Sequence, residues 1–112
     1  MKLPNYEHAV VPDPKVRSYL LNETHPVGQH KAIFLRSFGF TADRWEELIQ
    51  ALLEHAASHE VVSTLETPEG IHFVIDGPMR SPDLRNPNVR TVWAIDTGQA
   101  IPRFITAYPL AR

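Results

Sequence analysis

Three sets of residues in this chain have the side chains and spacing that chemistry needs. The first is the run His25-Pro26-Val27-Gly28-Gln29-His30-Lys31. A His-Pro pair at a helix start sets an imidazole beside N–H groups that lack partners within the helix, and such a terminus favours anions. With Lys31 about a turn and a half further on, the run can hold a phosphate. The plainer reading is a capping His25, an exposed His30 and a solvated Lys31. The second set comes from strand alternation, which sends successive side chains to opposite faces. Ile71, Phe73 and Ile75 share one face, as do Val89, Thr91, Trp93 and Ile95. The other face then receives His72 and Asp76 from one strand and Arg90 from the next. The last strand is ambiguous, because Phe104, Thr106 and Tyr108 alternate with Ile105 and Ala107. If Ile105 and Ala107 face the core, Thr106 and Tyr108 join Arg90 and His72. Arginine clamps phosphate oxygens in pairs, histidine exchanges a proton near neutral pH, and the hydroxyls orient or donate. Such a face can hold a phosphodiester and move a proton. A sheet with one wet face also carries polar residues there for no reason but solvation.

The third set, His55 and His59, has i, i+4 metal-ligand spacing, but no third ligand suggests itself and a histidine near a helix C-terminus already has a dipole reason to be there. No metal and no cofactor are expected. Cysteine is absent, so a disulfide framework, a thiolate zinc site and a cysteine nucleophile are excluded. Neither a nucleophile elbow nor a phosphate loop is present, and Gly28 and Gly39 make no glycine-rich pattern.

The elements that must position these residues follow from periodicity. Asp13 then Pro14 marks a helix start, with Val16, Tyr19 and Leu20 as its inner stripe and an end near Asn22. A second helix begins at Pro26, with Thr24 or His25 near its cap. Val27, Lys31, Phe34 and Phe38 run along one side, beside Ile33, and Gly39 closes the helix. A third opens at Thr41 and places Trp45, Leu48, Ile49, Leu52 and Leu53 at i, i+3, i+4, i+7 and i+8, an amphipathic pattern. After Ser58 the period becomes two. Glu60–Glu66 reads as a strand, Thr67-Pro68-Glu69-Gly70 as a turn, and Ile71–Asp76 as its hairpin partner. A loop from Gly77 to Asn88 leads to a strand over Val89–Asp96, and the last strand runs from Arg103 to Tyr108. The expected fold is α+β: about three N-terminal helices packed on a four-stranded antiparallel sheet, with residues 1–112 as a single domain.

Size and composition agree. At 112 residues the chain can bury one modest core. Its 43% hydrophobic and 21% charged content excludes long disorder, collagen and coiled coil, and no run approaches the length of a membrane span. The opening MKLPNYEHAV lacks the apolar core of a signal peptide, so the expected location is the cytoplasm, with a larger secreted parent carrying this segment as one module as the alternative. The net charge is −2, unevenly spread: residues 41–70 hold one arginine against seven acids, and the remainder holds ten cations against six acids. A basic surface can therefore coexist with an acidic total.

Several segments together resemble a known family. They are Leu3-Pro4-Asn5, Ala9-Val10-Val11, Tyr19-Leu20-Leu21-Asn22, His25-Pro26-Val27-Gly28, Lys31-Ala32, Phe34 and Gly39-Phe40, then Val89-Arg90-Thr91-Val92-Trp93 and Ile105-Thr106-Ala107-Tyr108-Pro109. The chain is similar over nearly its whole length to a small bacterial family of unassigned function. Similar segments end bacterial polymorphic and contact-dependent toxins. Those segments resemble the metal-independent ribonuclease superfamily that includes barnase, EndoU, colicin and RelE-like enzymes. The resemblance implies active groups on the sheet and near the preceding helix, and it points to His25, Lys31, Arg90, Thr106 and Tyr108 as catalytic residues.

The expected function is therefore a ribonuclease-like toxin domain cleaving RNA without metal. RNA phosphate would sit between Lys31, Arg90 and the helix start. His25 would be the leading acid/base, and Thr106 and Tyr108 would position the 2′-hydroxyl or the scissile phosphate. His72, His30 and Arg80 are the further substrate-binding candidates. The expected partners are RNA and a small cognate immunity or antitoxin protein, with no membrane. The alternative is a non-catalytic, antitoxin-like interaction domain that docks through the polar face or the Gly77–Asn88 loop.

Overall fold

The computed structural model describes residues 1–26 and 28–110. A 3-10 turn (Tyr6–His8) precedes α1 (Asp13–Lys15), which widens directly into a π turn (Val16–Leu20). α2 (Gln29–Ser37) follows, and a second 3-10 turn (Ala42–Arg44) leads into α3 (Trp45–Ser58). Four strands complete the chain: β1 (Val61–Thr67), β2 (Gly70–Pro78), β3 (Asn88–Asp96) and β4 (Arg103–Pro109), in the antiparallel order β1-β2-β3-β4. This is the expected α+β arrangement of helices followed by an antiparallel sheet. No helix among the described residues is long and apolar enough to cross a membrane.

Local chemistry explains the boundaries. Thr67 closes the first hairpin by accepting the N–H groups of Glu69 and Gly70 on its hydroxyl. At the end of α2, Gly39 takes φ +101°, and the N–H groups of Phe40 and Gly39 reach back to the carbonyls of Leu35 and Arg36. That is a Schellman closure, which needs a residue free to adopt the left-handed region. Asp13 departs from its expected role, because it is the first helical residue and Pro12 holds the cap position. α2 starts at Gln29, three residues after Pro26. It buries Ala32 and Leu35 instead of the expected stripe, whose Lys31, Phe34 and Phe38 sit half-buried beside β4. Val27, expected on that stripe, lies outside the described residues.

The core forms where one face of the sheet meets the helices. Phe73, Ile75, Val89, Trp93 and Phe104 pack against Val16, Leu20, Leu48 and Leu52, and the rings of Trp93 and Phe104 meet edge-on at 5.4 Å. A bulge settles the ambiguous phase of β4. Trp93 pairs with Phe104 while Val92 pairs with Thr106, leaving Ile105 as the extra residue. Phe104 and Ala107 both turn inward, and Thr106 and Tyr108 both turn outward, because one inserted residue reverses the alternation.

Within the core sits one polar network. His55 is 2% exposed. Its Nε2 lies 3.1 Å from the carbonyl of Gly77 and 3.2 Å from that of Val89, and its Nδ1 lies 3.1 Å from Oγ1 of Thr91. Carbonyls only accept, so the ring proton is on Nε2, and Nδ1 must accept from the threonine. Thr91 in turn accepts from Nε1 of Trp93 at 2.9 Å. Every donor has an acceptor, and the neutral imidazole is the form that satisfies them all. Burial pushes the pKa of His55 down to about 4, against the two carbonyls, which favour the charged form. His59 spends its Nε2 on the carbonyl of Pro78 at 2.8 Å. The i, i+4 histidine pair thus pins α3 to β2 and β3.

Candidate functional site

The π turn, α2 and β4 converge on the phenol of Tyr19. The π hydrogen bond runs from the N–H of Leu21 to the carbonyl of Val16 at 2.9 Å. Widening the turn in this way rotates Tyr19 off the inner side that Val16 and Leu20 occupy. Its oxygen lies 2.7 Å from Nζ of Lys31, which also donates to Oγ1 of Thr106 at 2.8 Å. The ammonium stands 5.1 Å from the ring centroid of Tyr19 and 5.6 Å from that of Tyr108, within cation–π range of both. Among the described residues no carboxylate lies within 4.0 Å of Lys31. Among the described residues its charge is met by hydroxyl oxygens and ring faces. Burial opposes ionisation of Tyr19, but hydrogen bonds from Lys31 and Thr106, with the charges of Lys31 and Lys15, outweigh it and hold the phenol below its ordinary value.

His25 joins from the other side. Its ring meets Tyr19 edge-on at 5.1 Å, and its Nδ1 accepts the N–H of Gly28 at 3.0 Å. The carbonyl of His25 also accepts the N–H of Gln29 at 3.0 Å. His25 therefore closes the turn that leads into α2, and in its neutral form it carries its proton on Nε2. Gly28 shows why glycine stands in this run. A Cβ there would lie 2.4 Å from the carbonyl oxygen of Tyr19 and 2.9 Å from its ring. The backbone at Gly28, with φ −83°, suits any residue, so the constraint is close approach and not conformation. Gly28→Ala should lower stability by about 1–3 kcal/mol in urea denaturation, against the usual gain from alanine in a helical turn. A variant more stable than the parent would contradict this packing.

Across the outer sheet face, Tyr108 stands opposite Arg90, and Arg90 opposite Asp76. Arg90 binds Asp76 through two bonds of 2.7 and 2.8 Å. That pairing, with the Tyr108 hydroxyl next, holds the guanidinium still more firmly charged and the carboxyl of Asp76 below its usual range. A continuous path of contacts thus runs from His25 through Tyr19, Lys31 and Tyr108 to Arg90.

The three further substrate-binding candidates lie elsewhere. His72 is on the same sheet face but pairs with Ala94, about 13 Å along β2 from Asp76 at 3.3 Å per residue. His30 is exposed on α2, about 100° around the helix from Lys31. Arg80 reaches back to Glu54 on α3 at 3.1 Å. Tyr19 and Asp76 complete the cluster. Tyr19 escapes a periodicity reading because its spacing from Val16 and Leu20 is that of a core residue.

Comparison with known proteins adds two findings. A family model described as a domain of unknown function, DUF6883, matches residues 2–111. No curated protein is significantly similar in sequence. Among solved structures, a chain from a contact-dependent growth inhibition toxin–immunity protein complex of Klebsiella pneumoniae 342 superposes with a TM-score of 0.72 at 16% identity, over 90% of this chain and 99% of that one. At that identity the likeness is one of fold.

Proposed function

We propose that this chain, which belongs to the DUF6883 family, is a ribonuclease-like toxin domain that cleaves RNA phosphodiesters without a metal ion. The observation that carries the reading is the ammonium of Lys31, balanced by no carboxylate among the described residues and ringed by Tyr19, Thr106 and Tyr108. Preorganised cations and hydroxyls of this kind stabilise the charge that develops on a phosphate under attack. The fold shared with a chain of a toxin–immunity complex supports a place in such a pair, with a cognate protein as the partner.

In the proposed reaction the 2′-oxygen bonds to phosphorus as the bond from phosphorus to the 5′-oxygen breaks, leaving a 2′,3′-cyclic phosphate. Tyr19 receives a hydrogen bond from Lys31, which leaves the phenol's own proton to give. It is the acid toward the 5′-oxygen, and the phenolate it leaves is held by that ammonium. His25 takes the proton of the 2′-hydroxyl. To do so Nδ1 releases the N–H of Gly28, so the nitrogen that closes this turn becomes the base when RNA binds. Thr106 and Tyr108 position the phosphate, and Arg90, oriented by Asp76, borders it.

The test is incubation of RNA with the purified protein in EDTA. Cleavage should persist in the chelator and fall in His25→Ala and Arg90→Ala. Absent cleavage, or cleavage unchanged in both variants, contradicts the reading. The groove along α3, with Glu7, Glu46, Glu47 and Glu54 around an apolar floor, favours a second reading as a non-catalytic docking domain. Growth arrest on expression separates the two, since an inert binder leaves growth intact.

A further inference from the structure

Phe34 and Phe38 extend from the Lys31 cluster along the same side of α2. They lie one and two turns beyond Lys31, which spreads the row over about 10 Å. On the facing side the chain runs out from Tyr108 through Pro109 to Leu110, whose N–H bonds to the carbonyl of Asn88 at 3.1 Å. Between the two rows lies a hollow of about 520 Å³, bordered by Phe34, Phe38, Asn86, Asn88 and Leu110. That volume is in the range of small-molecule sites. Phe34 also borders the packing beneath Lys31 and Tyr108, so hollow and cation adjoin.

The walls of this hollow have one consistent chemistry. The rings of Phe34 and Phe38 are 5.1 Å apart. Arg85 lies over Phe38 at 4.3 Å and is fixed there by Asp83 and by the carbonyl of Ser37. Paired with Asp83, Arg85 lays its guanidinium over Phe38 as a planar wall. Among the described residues no carboxylate borders the hollow. Asn86 spends its Oδ1 on the N–H of Ser81, and its NH₂ makes no hydrogen bond among the described residues. The carboxamide of Asn88 is exposed and makes no hydrogen bond among the described residues, so it offers an acceptor beside a donor. Flat aromatic walls with an exposed carboxamide suit a planar ligand whose edge carries both a donor and an acceptor.

We infer that this hollow is a nucleobase subsite, with adenine the best match to the Asn88 carboxamide. The inference rests on the proposed phosphate site at Lys31, from which the base of the bound nucleotide extends. Stacking on aromatic side chains accepts any base, whereas a carboxamide pairs in two places with the N6 and N7 edge of adenine.

Amide NMR titrations of the intact protein with adenosine, adenosine 3′-monophosphate, uridine 3′-monophosphate and inorganic phosphate test it. The adenine nucleotide should bind about tenfold more tightly than either the uridine nucleotide or phosphate, shifting the side-chain amides of Asn86 and Asn88. In Asn88→Ala, a surface change, that preference should vanish. In Lys31→Met, adenosine should bind as before while the gain from its phosphate is lost. Equal affinity for the two nucleotides, absence of binding, or an unchanged preference in Asn88→Ala overturns the subsite. If adenosine binds in an Asn88-dependent way but RNA is not cut, the subsite stands and the cleavage reading fails. If RNA is cut with a base preference indifferent to Asn88, the subsite alone fails.

Discussion

Lys31→Met should cleave RNA about 100- to 1000-fold more slowly than the parent chain while folding normally. The magnitude is that of removing one preorganised donor from a site where charge develops in the transition state. Lys31 holds Tyr19 and Thr106 at 2.7 and 2.8 Å, so its loss removes the cation and releases both hydroxyls together. Methionine keeps the apolar stem, which preserves packing against the tyrosine rings. Lys31→Arg should also be strongly impaired, because a planar fork does not replace a compact ammonium between two hydroxyl oxygens. A second readout separates charge from shape. Lys31 lowers the pKa of Tyr19 by hydrogen bond and by charge, so spectrophotometric titration of the methionine variant should find that phenol ionising at higher pH. Cleavage within threefold of the parent would remove Lys31 from the chemistry.

The second large effect is on stability and concerns a residue outside the site. His55 has a folded-state pKa of about 4, against 6.5 as its ordinary value. The unfolded chain therefore binds a proton at this residue that the folded chain refuses. Stability is full above about pH 6.5 and falls as the pH drops toward 4. At 1.36 kcal/mol per pKa unit the loss is about 3 kcal/mol, a large fraction of a small domain's stability. The structural reason is burial, which disfavours the charged ring, and the network accepts one neutral tautomer. A proton on Nδ1 would face the oxygen of Thr91, which already accepts from Trp93. Urea midpoints measured between pH 4 and 7 should show this slope, and His55→Gln, which cannot titrate, should flatten it even where it lowers stability overall. An equal slope in His55→Gln would assign the acid sensitivity to other groups.

Much of the site was legible because it follows from periods. The position of Lys31 on α2, and the placing of Arg90, Thr106 and Tyr108 on one sheet face, depend on alternation and on a helix repeat that side-chain types reveal. Tyr19 was hidden because its spacing from Val16 and Leu20 matches an inner stripe, and only the π turn moves it to the edge. The bulge at Ile105 was hidden because Phe104 and Ala107 are both apolar, so either phase of β4 gave a plausible inner face. His72 shows a different limit: alternation tells which face a residue shares, not how far along the strand it lies. Arg80 sits in a loop with no period at all, and the acidic face of α3 decides its partner. The histidine pair on α3 had correct spacing for metal, yet the carbonyls of Gly77, Val89 and Pro78 claim its nitrogens. Those contacts arise from strands far away in sequence.

The most direct measurement of the account is cleavage of a short RNA in EDTA, compared with the same RNA carrying 2′-deoxyribose at the cut position alone. With the 2′-oxygen as nucleophile, the all-ribose strand should yield a 2′,3′-cyclic phosphate and a 5′-hydroxyl, and the substituted strand should resist. Equal cutting of both strands, or products ending in a 3′-hydroxyl, would contradict it.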